Sequence, residues 1–180
     1  MSPRGVAAAI LVAAGRGERA GEGPPKQFRD LSGIPVLARA WEPFRACETI
    51  GEIVLVLPER AAADPPGWLR DAPGRLVAGG ETRTESVARG LEAVSPDVDV
   101  VLVHDGVRPF ASLELLRRVL EAARRGPVVP LLPLRDTVKE VDDRGRVRRT
   151  LERASLRRAQ TPQGFPATVL REAHRRAAEA

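Results

Sequence analysis

Apolar residues in this chain come in short continuous runs, set apart by polar stretches rich in glycine and proline. The first run, residues 6–14, fits a strand buried on both faces of a parallel sheet. Glycines at 15, 17, 21 and 23 and the pair Pro24-Pro25 then interrupt regular structure. Residues 34–41 read as a helix with Pro35 near its start. Residues 53–57 form a second apolar run, stopped by Pro58, and the polar stretch 58–67 carries no period that assigns it. A short strand is expected at 75–78, a helix over 82–94 with Val87, Leu91 and Val94 on one face, and a strand at 98–104. Ser112 suits the N-cap of a helix running to Arg125, and residues 128–134 are strand-like again. Strand and helix alternate throughout. The pattern predicts one α/β domain over residues 1–180, a doubly wound and mostly parallel sheet with right-handed crossovers. Ligands of such sheets bind at the carboxyl ends of the strands.

Residues 136–151 break this pattern. Residues 137–141 alternate, Asp142-Asp143-Arg144-Gly145 can turn, and residues 146–151 alternate again. This is the signature of a β-hairpin with too few apolar residues for a core of its own. Such an arm either leans on something else, a second subunit above all, or is an exposed excursion.

Composition narrows the class. With 43% hydrophobic and 29% charged residues the chain is globular, not disordered. Cys47 is the one cysteine, which excludes an internal disulfide framework and a multi-cysteine metal site and fits a reducing cytoplasm. Residues 6–14 are too short to span a bilayer, so no membrane partner is expected. The net charge of +5 is carried mostly by arginine and favours phosphorylated partners. Nucleic acid is not expected, because only 3% of residues are aromatic and single strands need stacking platforms in series.

The chemistry sits at four expected strand ends. After the first strand, glycines allow close backbone approach to a phosphate, while Arg19 offers a planar fork and Lys26 a mobile point charge. We read this stretch as a nucleoside triphosphate site. Gly15-Arg16-Gly17-Glu18-Arg19-Ala20 also fits a dinucleotide fingerprint, but that motif needs a helix at once, which Gly21, Gly23, Pro24 and Pro25 oppose. No Gly-Lys-Ser/Thr occurs, which excludes a P-loop. A plain surface loop is the alternative that this stretch alone leaves open. The second end is Gly79-Gly80-Glu81, followed by Arg83 and Ser86; Glu81 or Ser86 can read a base or ribose, and a tight turn before a capped helix accounts for the stretch equally well. The third is His104-Asp105-Gly106-Val107-Arg108-Pro109. Asp105 can ligate Mg²⁺, accept sugar hydroxyls or merely cap a turn, and Arg108 can hold a second phosphate. The fourth is Arg135-Asp136-Thr137 at the base of the arm, with Arg153 and Gln160-Thr161-Pro162-Gln163 after it.

These motifs, in order, resemble those of the 2-C-methyl-D-erythritol 4-phosphate cytidylyltransferase family, from Ala13-Ala14-Gly15 through Pro25-Lys26-Gln27, Gly79-Gly80, His104-Asp105, Arg135-Asp136-Thr137 and Gln160-Thr161-Pro162-Gln163. The resemblance implies a Rossmann-like nucleotidyltransferase fold with a protruding β-arm at 136–151. It implies transfer of the cytidylyl group of CTP to 2-C-methyl-D-erythritol 4-phosphate, a small phosphorylated alditol, with release of pyrophosphate. Arg19, Lys26 and Arg153 would be catalytic. Ala13, Ala14, Gly15, Gly17, Gly80, Glu81 and Ser86 would hold CTP. Asp105, Arg108, Thr137, Arg153 and Thr161 would hold the alditol phosphate. Mg²⁺ would bridge the triphosphate, with Asp105 as its one protein ligand. The arm would be exchanged across a homodimer. The family continues past position 180 into a strand with a lysine near the substrate phosphate. The chain therefore either has a further C-terminal segment or is a short variant without that lysine. Ribitol 5-phosphate as the acceptor, and nucleotide binding without turnover, are the alternatives.

Overall fold

The computed structural model describes residues 6–15, 23–70, 72 and 74–179. In chain order the elements are β1 (Ala7–Val12), α1 (Val36–Arg45), β2 (Ile50–Leu57), α2 (Glu59–Ala63), α3 (Gly67–Arg70), β3 (Arg75–Ala78), α4 (Arg83–Glu92), β4 (Val100–Asp105) and α5 (Leu113–Ala123). They are followed by β5 (Leu131–Pro133), β6 (Lys139–Val141), β7 (Val147–Thr150), β8 (Arg157–Ala159), β9 (Gln163–Pro166) and α6 (Ala167–Ala178). Five strands form the main sheet in the order β3-β2-β1-β4-β9. The first four are parallel, and β9 runs antiparallel to β4.

β1 is central because its side chains are small and apolar on both faces. Ala7, Ala9 and Leu11 point into one core with α1 and α5, and Ala8 and Ile10 into the other with α4 and α6. That is a doubly wound sheet with helices on both faces. Helix α4 lies unusually close: a Cβ on Gly90 would come within 2.6 Å of Ile10 Cγ2 and 2.9 Å of Val56 Cγ2.

Helix α1 runs past the expected end at 41 and through Pro43, because Leu37, Ala40, Trp41 and Phe44 keep a helical stripe buried. The unassigned stretch 58–67 contains α2 and leads into α3, anchored by the buried Leu69. The strand expected over 128–134 is shorter than the apolar run, with Val128 making only an isolated bridge to Gly164. Only β5 forms there, and it pairs with β8 in a separate two-stranded sheet. Pro130 and Pro133 remove backbone donors, which excludes a central strand, and the place beside β4 goes to β9.

Strands β6 and β7 form the expected hairpin. Its turn is closed by Gly145 N–H donating to Asp142 O at 2.9 Å, with Gly145 at φ 75°, and the Asp142 carboxylate accepts the N–H groups of Arg144 and Arg146. Val141 and Val147 are exposed, so the hairpin has no core of its own.

Candidate functional site

Strands β2 and β3 lie on one side of β1 and β4 on the other, so the order in which successive parallel strands are added reverses between β1 and β4. In open α/β sheets the crevice outside the carboxyl ends at that point is where ligands bind. Three of the four sequence-marked strand ends converge there, together with Gln160 and Thr161 of the fourth.

From β1 the backbone continues through Ala13, whose N–H donates to Val56 O at 2.7 Å, to Ala14 and Gly15. A single 3₁₀ turn at Lys26–Phe28 returns beneath it. Gln27, 2% exposed, donates Nε2–H groups to Ala13 O at 2.7 Å and Gly15 O at 3.1 Å. Those carbonyls have no sheet partner, and an amide with two donors satisfies both. Its neighbour Lys26 points the other way in character: it is exposed and makes no ion pair among the described residues. Gly17 and Arg19 lie outside the described residues.

From β3 the chain turns at Gly79 and Gly80. Gly79 N–H donates to Leu57 O at 2.8 Å, and a Cβ on Gly79 would sit 2.2 Å from that of Ala14. Only glycine permits the two expected nucleotide loops to touch here. Ser86 is buried, and its Oγ accepts Gly80 N–H at 3.1 Å. The serine thus shapes the glycine turn from beneath. Thr82 and Glu85 form a capping box that starts α4, with Glu85 Oε2 also accepting Glu81 N–H at 2.8 Å. The Glu81 side chain itself is exposed.

From β4 come His104 and Asp105. Arg83 donates Nε–H and Nη2–H to Asp105 Oδ1 at 3.2 and 3.1 Å, and Arg108 donates Nε–H to Oδ2 at 2.9 Å. Arg108 also donates from Nη1 to Gln160 Oε1 at 3.0 Å. A cation on the first residue of a helix is opposed by the helix dipole, and the bridge to Asp105 offsets this. Both arginines are about half exposed (50% and 46%), so these pairs contribute at most about 1 kcal/mol each to stability. Their significance is local charge: two guanidiniums on one carboxylate leave a net positive cluster at the crevice. Thr161 lies under it, buried, with Oγ1 2.9 Å from His104 Nδ1 and 3.4 Å from Asp105 N. Burial pushes the His104 imidazole below its ordinary pKa, against the hydrogen bond to Arg108 O and the Asp105 charge, which raise it.

Thr137 and Arg153 stand apart from this cluster. Thr137 is exposed at the start of the arm, and Arg153 crosses the arm's base, donating Nη1–H to Arg135 O at 3.1 Å. Neither bonds to Asp105, Arg108 or Thr161. The structure also brings in Gln27, Arg83, His104 and Gln160, to which the sequence reading gave no role. Two signals were available: charge at the wrong end of a helix, at Arg83, and a polar ring closing an apolar strand, at His104.

Asp105, expected as a protein ligand for Mg²⁺, is engaged here by two arginines, both of its oxygens accepting from guanidinium groups. Among the described residues no group of three or more His, Cys, Asp or Glu side chains is placed to hold a metal. Nor is any described helix long and apolar enough to cross a membrane.

A doubly wound sheet with close glycine turns and two arginines on one carboxylate at its switch point defines an open α/β protein with a crevice at the carboxyl ends of its strands. Comparison with known proteins makes the class specific. Residues 7–180 match the family model of 2-C-methyl-D-erythritol 4-phosphate cytidylyltransferase, IspD, and the chain belongs to that family. It is 48% identical over 183 residues to a bifunctional IspD/IspF enzyme of Rhodopseudomonas palustris, covering 98% of this chain and 45% of the relative. It is 47% identical over 175 residues to the 2-C-methyl-D-erythritol 4-phosphate cytidylyltransferase of Frankia casuarinae, covering 96% of this chain and 65% of that one. The chain thus spans less than two thirds of the length of these curated relatives. Among solved structures, the Thermus thermophilus enzyme of that name superposes with a TM-score of 0.77 at 40% identity, over 94% of this chain and 75% of the other. The 4-diphosphocytidyl-2C-methyl-D-erythritol synthase of Anaerococcus prevotii superposes with a TM-score of 0.83 at 30% identity, over 98% and 78%.

Proposed function

We propose that this chain transfers the cytidylyl group of CTP to 2-C-methyl-D-erythritol 4-phosphate, giving the CDP-alditol and pyrophosphate. The observation that carries this reading is the meeting, at the β1/β4 switch point, of the two glycine turns with the Arg83–Asp105–Arg108 cluster. Family membership names the reaction for which such a meeting is suited.

In the proposed reaction an oxygen of the alditol phosphate attacks the α-phosphorus of CTP as the bond to pyrophosphate breaks. Two polyanions must approach and charge builds at phosphorus, so cations matter more than a general base. A phosphate monoester is already a nucleophile near neutral pH. Lys26 and Arg19 are assigned to the pentavalent centre, Ala13, Ala14, Gly15, Gly17, Gly80, Glu81 and Ser86 to CTP, and Asp105, Arg108 and Thr161 to the alditol phosphate. Magnesium bound with CTP would supply charge neutralisation of the triphosphate, and Asp105 is the one described side chain that the sequence reading offered to hold it. Thr137 and Arg153 are assigned to a partner's site, through a homodimer that exchanges the β6–β7 arm; the core-free hairpin and the exposed Phe110, Leu131 and Leu132 support this. The lone buried thiol of Cys47 supports a cytoplasmic setting.

Pyrophosphate release from CTP, measured with and without each acceptor, tests the reading. Release is expected with the branched tetritol phosphate in the presence of magnesium. Equal turnover with ribitol 5-phosphate would overturn the acceptor assignment, and CTP binding without release would overturn the activity.

A further inference from the structure

His104 is a fully buried titratable group that the reaction above does not use, yet it is bonded to the residues assigned to the acceptor. Its ring sits 1% exposed at the end of β4, opposite Leu11 in register and 4.9 Å from the ring of Phe44. Nε2 lies 2.9 Å from Arg108 O and Nδ1 lies 2.9 Å from Thr161 Oγ1. A carbonyl only accepts, so Nε2 carries the hydrogen. Nδ1 then presents its lone pair, and the Thr161 hydroxyl donates to it. That leaves Thr161 Oγ1 free to accept the N–H of Asp105, at 3.4 Å. One neutral tautomer satisfies every group, and no buried side-chain nitrogen or oxygen among the described residues is left without a partner.

The consequence is geometric. The turn 105–108 is closed by Arg108 N–H donating to Asp105 O at 3.0 Å, and the imidazole pins both of its ends. It holds Arg108 O directly and Asp105 N–H through Thr161. The carboxylate of Asp105 and the guanidinium of Arg108 project from a turn whose backbone is fixed by one buried ring. We infer that His104 is a positioning residue for the acceptor pocket, setting Asp105, Arg108 and Thr161 together while leaving the nucleotide turns untouched. The inference rests on the acceptor assignment of those three residues proposed above.

Steady-state kinetics with CTP and the alditol phosphate varied in turn separate this role from that of an ordinary core histidine. His104→Phe keeps a ring and loses both polar atoms. It is expected to raise KM for the alditol phosphate about tenfold, the scale of one lost hydrogen-bond partner in a buried site, with KM for CTP changed less than about twofold. His104→Asn restores an amide near the Nδ1 position and His104→Gln near the Nε2 position, so each recovers part of the loss. These two carry the test if the Phe variant does not fold. In the unaltered protein, ¹⁵N NMR of the ring is expected to show the Nε2–H tautomer, with shifts on adding the alditol phosphate and none with CTP alone. Parallel rises in both KM values, unchanged KM values, or the Nδ1–H tautomer would overturn the inference and leave the functional reading standing. Absence of acceptor-dependent turnover in the unaltered protein would overturn the reading and the inference with it.

Discussion

Lys26 and Gln27 are adjacent on one 3₁₀ turn and do opposite work. Gln27 is buried and spends both amide hydrogens on Ala13 O and Gly15 O. Its replacement by Ala leaves two partly buried carbonyls unpaired, which costs about 1–3 kcal/mol. Urea unfolding of Gln27→Ala is expected to show that loss, accompanied by weaker CTP binding, and a midpoint equal to that of the unaltered protein would show that water replaces the amide. Lys26 is exposed with no ion pair among the described residues, so Lys26→Ala leaves stability nearly unchanged. Turnover should instead fall by roughly 10²–10³, the scale for removing one donor to the transition state; a fall below about threefold would reduce Lys26 to a surface charge. The sequence singled out Lys26 as a candidate because a cation beside a glycine loop suits a phosphate. It did not distinguish Gln27, because an amide does not declare whether it faces water or a backbone. The same limit hid His104, whose burial and two partners depend on residues 4 and 57 positions away in the chain.

Among the elements, α4 shows how closely the site is tied to the sheet. Its capping box starts the helix under the second glycine turn, and Gly90 lets its middle lie on Ile10 and Val56. Gly90→Ala gains about 1 kcal/mol of helix propensity. The added methyl forces stiff β-branched neighbours apart, at a cost of about 1–3 kcal/mol, so the melting temperature should fall; a rise would show that the interface has slack. At the opposite end of the sheet, Glu52 of β2 accepts Ser95 N–H at 3.1 Å, and Arg171 of α6 donates to Ser95 O at 2.8 Å. Partial burial raises the Glu52 carboxyl, but the Ser95 hydrogen bonds with the Arg75 and Arg171 charges outweigh this and hold it below the ordinary 4.5. A depressed carboxylate binds fewer protons folded than unfolded. Its contribution is whole above pH 4.5 and is lost as pH falls through the folded-state value. Glu52→Gln should therefore flatten the stability–pH curve below that point, and an unchanged acid slope would deny Glu52 the role. Strands β1, β2 and β4 were legible from unbroken apolar runs, and the hairpin from alternation around an Asp-rich turn. β9 was not, because Gly164 and Pro166 within four residues read as loop, and its strand character comes from pairing with β4.

At the scale of the whole molecule, the arm is the part that the single chain leaves unexplained. It projects Val141 and Val147 with no core, and Arg153 at its base bonds to Arg135 O and not to the Arg83–Asp105–Arg108 cluster. In the proposed two-fold dimer Thr137 and Arg153 complete the partner's site, whereas Lys26 serves its own. Exchange of disabled subunits tests this directly. Lys26→Ala and Arg153→Ala are each expected to be nearly inactive as pure dimers. When the two are unfolded and refolded together in equal amounts, random pairing makes about half of the dimers mixed. One site of each mixed dimer then carries both lesions, and the other combines an intact body with an intact arm. About a quarter of all sites should work, provided the sites act independently. If Arg153 instead acts within its own chain, every site contains one lesion and mixing restores nothing. Activity no greater than that of the two variants assayed apart, with subunit exchange verified by differently tagged chains, would place the arm in cis.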